Sequence, residues 1–197
     1  MRKLLILFPM AMTFAFILAG CGSSSPSSIV IRIIADPTDW EASMEFRDEM
    51  YHECGEDMAC SLTMIETLPP ITGNSAPVLG GAHGGEGRTI SGQFYATFST
   101  GRAPEGAITW TLTVGGTDVP IDPFINDEIQ AFNMVFLSVN IPPTGEIVLT
   151  ASTAVAGVAD RRLTLMPSGP GSYYDMREWI PRLPMGNPQR PSNSRRY

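Results

Sequence analysis

In AITWTLTVGG, residues 107–116, Ile108, Trp110, Leu112 and Val114 alternate with Thr109, Thr111 and Thr113. Successive side chains of an extended chain point to opposite faces, so the four apolar residues share one side of a half-buried strand. Gly115-Gly116 supplies the positive φ angles of a tight hairpin, and the chain returns through Thr117 to Val119. The same period spreads outward. In TISGQFYATFS (89–99), Ile90, Phe94, Ala96 and Phe98 oppose Ser91, Gln93 and Thr97. MVFLSVNI (134–141) aligns Val135, Leu137, Val139 and Ile141, PPTGE (142–146) turns the chain, and EIVLTAST (146–153) continues with Ile147, Leu149 and Ala151. After a loop centred on Gly157, a last strand carries Leu163 and Leu165. Short strands at this spacing predict a mainly β fold, an antiparallel β-sandwich with Trp110 in its core.

Ahead of these strands, SIVIRII (28–34) reads as a strand, after which the period changes. Trp40, Met44, Phe46, Met50, Tyr51 and Cys54 recur at helical spacing, Thr38 with Glu41 makes a capping box, and Gly55 ends the helix. Its other face carries Glu41, Glu45, Asp48, Glu49 and Glu53, with Arg47 the one cation among them. SLTMIETL (61–68) fits either a strand or a second short helix. PPITGNSAPVLGGAHGGEGR (69–88) is so rich in turn formers that it reads as a loop or linker. At the other end, SYYDMREWIPRLP (172–184) concentrates Tyr173, Tyr174 and Trp179, and residues 185–197 have the composition of a disordered tail.

The first twenty residues have their own logic. Arg2 and Lys3 precede an apolar run from Leu4 to Leu18, which ends in the small residues Ala19 and Gly20, the layout of a cleaved export signal. Removal of the two cations takes the formal charge from −7 to −9, a balance that disfavours nucleic acid and anionic lipid headgroups. Export also places Cys54 and Cys60 in an oxidising compartment, where a disulfide is expected; free thiols and a metal site are the alternatives. Gly22 to Ser28 has the composition of a short flexible tether.

Leu18-Ala19-Gly20-Cys21 resembles the lipobox of bacterial lipoproteins. The resemblance implies cleavage before Cys21 and lipidation of its thiol, hence attachment to the membrane through a lipid anchor without spanning it. Gly22 in place of Asp resembles outer-membrane lipoproteins of Gram-negative cells. Over Arg88 to Met166 the chain also looks like the Ig-like modules of bacterial envelope proteins. That likeness is carried by Ser91-Gly92, TLTVGG, an aromatic at Phe132 or Phe136 before Val139-Asn140-Ile141, and TGEIVLTAST followed by Ala156-Gly157. Thr153 stands where many members place an acidic residue, a departure that bears on any calcium role. The family implies a spacer, adhesion or binding module, and a fold does not choose among these.

Together these readings divide the chain into a signal (1–20), lipidated cysteine and tether (21–28), strand with acidic helix and disulfide segment (29–68), linker (69–88), Ig-like sandwich (89–166), aromatic segment (167–184) and tail (185–197). Chemistry is sparse. His52 and His83 are the only histidines, and His52 and Cys54, two apart on a helix, face different ways. The glycine-rich AHGGEGR has no G-x-S-x-G elbow after it, and DPFINDE (122–128) offers Asp122, Asn126 and Asp127 without EF-hand spacing. The expectation is a non-enzymatic binding or scaffold module with no cofactor, no metal and no catalytic residues. Its partners are the membrane and either a basic protein on the acidic helix or a glycan. As the alternative function, a carbohydrate-binding accessory would use Tyr173, Tyr174 and Trp179 as its platform.

Overall fold

The computed structural model describes residues 27–83, 87–122 and 129–168. The predicted hairpin is present: β4 (Thr109–Val114) buries Trp110, Leu112 and Val114 and exposes Thr109 and Thr111. It pairs with β5 (Thr117–Val119) across Gly115 and Gly116, whose φ angles are 57° and 81°. The other strands are β1 (Ile29–Ile33), β2 (Ser75–His83), β3 (Gly87–Phe98), β6 (Met134–Ile141), β7 (Ile147–Ser152) and β8 (Arg161–Ser168). The described residues are mainly β, with two α-helices and a 3-10 turn at Gln130–Phe132.

Hydrogen bonding links all eight strands in the order β1-β3-β2-β8-β7-β4-β5, with β6 on β3. β1 and β2 lie along β3 at residues 94–98 and 87–91 respectively, and β6 pairs with residues 88–95. β2 is the joint. Its first half, from Ser75 to Leu79, runs parallel to β8, and its second half, from Leu79 to His83, runs antiparallel to β3. The sheet is therefore mixed, not wholly antiparallel as expected. Both limbs meet in one core: Ile31, Ile90, Phe94, Val135 and Leu137 from the first pack with Trp110, Leu112, Leu149, Leu163 and Leu165 from the second. Each such side chain removed from water stabilises the fold by roughly 1.5–3 kcal/mol.

The turn formers of 69–88 predict a loop or linker, and the structure corrects this: Ser75–His83 within it form β2, and β3 already begins at Gly87. Two of the glycines that read as turn formers are there for close approach. A Cβ on Gly80 would lie 2.8 Å from the Pro167 Cβ, and one on Gly87 would lie 2.8 Å from the Ile141 carbonyl oxygen. Residues 29–68 and 89–166 are likewise not separate units, because β1 pairs with β3 and Ile29 and Ile31 belong to the shared core.

A second correction concerns β3 and β6. Period two predicted half-buried strands, yet Gln93, Tyr95 and Thr97 on the second face of β3 are 0%, 1% and 4% exposed. A helical layer covers them. Helix α1 (Trp40–Cys54) and helix α2 (Met58–Ile65) place Met50, Met58, Leu62 and Ile65 in a second core with Tyr95, Ile129, Met134 and Phe136. SLTMIETL thus falls mostly within a helix. Asp39, not Thr38, caps α1, its carboxylate accepting from the Ala42 amide, while Thr38 donates to Asp36. Gly55 closes α1 at φ 55° as expected, but Tyr51, grouped with the inward residues, is 60% exposed. Cys54 and Cys60 form a disulfide, Cα–Cα 5.4 Å, that ties the end of α1 to the start of α2.

Candidate docking surface on the helical layer

On α1, Glu41, Glu45, Asp48, Glu49 and Glu53 are all exposed, and Glu56 and Asp57 continue the series into the disulfide loop. Arg47 pairs with Asp48 at 3.5 Å. Asp57 has a second duty as the N-cap of α2, accepting from the Ala59 and Cys60 amides at 2.9 and 3.3 Å. A carboxylate there is stabilised by the helix N-terminus. The acidic residues thus form a solvent face on a helix whose other side is anchored in the second core.

What holds this layer to the sheet was not visible in the sequence. Glu66, just past α2, accepts from the Tyr95 hydroxyl at 2.7 Å and from Arg102 Nε at 2.8 Å through Oε1, and from Arg102 Nη2 at 3.0 Å through Oε2. Arg102 Nη2 also donates to Thr63 Oγ1 at 3.3 Å. The Arg102 hydrogen bonds hold the Glu66 carboxyl below its ordinary range. Burial, aided by the bond to Glu66, pushes the Tyr95 phenol above its own range. Both shifts run away from neutrality, so the pair stays carboxylate and phenol across physiological pH and acts as a clamp. On the other side, Arg32 of β1 donates to the Leu68 carbonyl and to Thr97 Oγ1, each at 3.0 Å.

Beside the clamp lies a groove of about 300 Å³, with Met58, Leu62, Tyr95 and Phe132 among its lining and Arg102 and Glu105 among its polar groups. One wall is held by Asn133, which is 2% exposed and has φ 59°. Its amide donates to the Ala103 and Pro104 carbonyls at 3.2 and 2.8 Å and accepts from the Ile108 amide at 3.0 Å. Glu66, Tyr95 and Arg102 are separated by 29 and 36 residues of chain, so no local spacing marks them as partners. The left-handed Asn133, just before β6, is the one member with a local signal, since asparagine tolerates that conformation.

Cys21, Tyr173, Tyr174 and Trp179 lie outside the described residues, as do Asn126 and Asp127. His52 is exposed on α1, and His83 closes β2. Among the described residues, no group of three or more His, Cys, Asp or Glu side chains is placed to hold a metal ion, and no helix is long and apolar enough to cross a membrane. Comparison of the chain with protein-family models, curated proteins and solved structures gave no match.

Proposed function

We propose that this chain is a lipid-anchored protein of the bacterial cell envelope, outer-membrane in a Gram-negative cell, whose Ig-like sandwich is a non-enzymatic scaffold. On it the α1–α2 layer is the binding surface for a basic protein. The observation that carries the binding role is the exposure of Glu41, Glu45, Asp48, Glu49 and Glu53 on a helix that shares a packed core with the sheet and is tied by a disulfide to α2, whose end the Glu66 clamp holds to β3. A rigid support of this kind lets charge steer a partner without the surface having to order first. The sandwich reading is supported by β2, which changes partner from β8 to β3, and by the single core that both limbs share. The address is supported by the signal-like start and its lipobox.

Asp48, Glu49 and Glu53 reversed together to arginine should slow capture of the basic partner and flatten its salt dependence, with folding intact. Cross-linking in whole cells followed by pull-down reads the outcome. An unchanged set of captured proteins would reduce the acidic face to a solvated surface.

A further inference from the structure

The charge of this chain is unevenly placed. Residues 21–168 carry eighteen carboxylates against six arginines, a net −12, whereas residues 169–197 carry five arginines against Asp175 and Glu178, a net +3. The basic segment also holds the aromatic cluster, with Trp179 between Arg177 and Arg182. The groove beside the clamp has the complementary character. Met58, Leu62 and Phe132 give it an apolar lining, Glu105 is exposed at its edge, and Glu56 and Asp57 immediately precede Met58. Arg102, its one cation, is already held by both oxygens of Glu66.

We propose that residues 172–184 of this chain dock on the groove, with Trp179 as the apolar anchor and Arg177 and Arg182 facing Glu105 and the Glu56–Asp57 corner. A volume of about 300 Å³ is at the small end for ligand pockets and suits one large aromatic side chain. Reach permits it. Ser168 pairs with Leu79, which packs against the helical-layer core and itself pairs with Ser91. From Ser91 to Tyr95 is four residues of strand, roughly 13 Å. The eleven residues from Ser168 to Trp179 extend about 36 Å. Because the segment is covalently attached, it meets the groove at an effective concentration on the order of millimolar, so an external basic partner displaces it only by binding more tightly. The inference rests on reading the helical layer as a contact surface and adds the α2 side to it; that side is covered by the segment until a partner displaces it, while the acidic face of α1 stays open.

Methionine-methyl NMR and amide exchange on the chain from residue 21 onward test it. Trp179→Ala should move the Met58 methyl resonance by removing the indole ring current while leaving Met50, under α1, unchanged. Exchange of the amides at 102–106 should accelerate about tenfold, the change that ~1.4 kcal/mol of docking represents. Glu105→Arg, at an exposed site, should reproduce both effects. An unmoved Met58 methyl in Trp179→Ala would overturn the proposal, and so would a shift that grows with protein concentration, since the groove would then take a second copy's segment. Failure of partner capture with an intact Met58 response would sink the contact-surface reading alone.

Discussion

Gln93→Met tests the helical layer most directly. Gln93 sits in the middle of β3 at 0% exposure, and neither atom of its amide finds a hydrogen-bond partner among the described residues. An amide buried without a partner costs about 1–3 kcal/mol on mutational scales. Methionine matches glutamine in length and nearly in volume, so the exchange removes that cost with little repacking. The expected outcome is a gain of about 1–3 kcal/mol, with each kcal/mol raising the melting temperature by about 2–4 °C for a chain of this size. If the second face of β3 looked out to water, as its alternation suggests, the same exchange would stay within about ±0.5 kcal/mol. Gln93→Glu separates the two cases further, because a buried charge there has no counter-ion while an exposed one is harmless. Urea denaturation followed by far-UV circular dichroism gives the midpoint and slope. A midpoint unchanged in both variants would refute the burial, and with it the helical cover.

Replacing Cys54 and Cys60 together by serine should cost about 2–2.5 kcal/mol in the chain-entropy account of so short a loop. Hydrogen exchange should show the loss concentrated in α1 and α2, with β3 and β7 little changed. Glu66→Gln should lower stability at neutral pH by about 1.5–3 kcal/mol, the range for a hydrogen bond to a charged group. Because the Glu66 pKa is depressed in the folded protein, first by the Arg102 bonds, its contribution is present above the ordinary glutamate value of 4.5 and fades as pH falls below it. The gap between wild type and Glu66→Gln should therefore close in acid, and a gap constant down to pH 3 would contradict the clamp. Asn133→Ala should cost about 2–4 kcal/mol in the same denaturation assay, since it strands buried backbone groups at Ala103 and Ile108. For the anchor, intact-mass analysis should find the chain beginning at an acylated Cys21, and Cys21→Ala should accumulate precursor; a mature chain beginning elsewhere would refute lipidation.

Local chemistry in the sequence determined the elements whose partners are near in the chain. The β4–β5 hairpin follows from alternating threonines and a Gly-Gly turn, α1 from its helical period and Gly55, and the disulfide from two cysteines close enough to meet across one turn. Tertiary structure decided what needs a distant partner. β2 was unreadable because its glycines and proline also spell a loop, and only the approach of Pro167 explains Gly80, as that of Ile141 explains Gly87 at the start of β3. Gln93 and Thr97 looked solvent-facing because alternation reports which side a residue takes and not what lies over that side; the helical layer covers it. Nor could any spacing bring Glu66, Tyr95 and Arg102 together, for they meet only once α2 has closed over β3. Hydrophobic period is a property of a segment, whereas a layer, a clamp and a groove are properties of the contact between segments, and that contact forms through the fold.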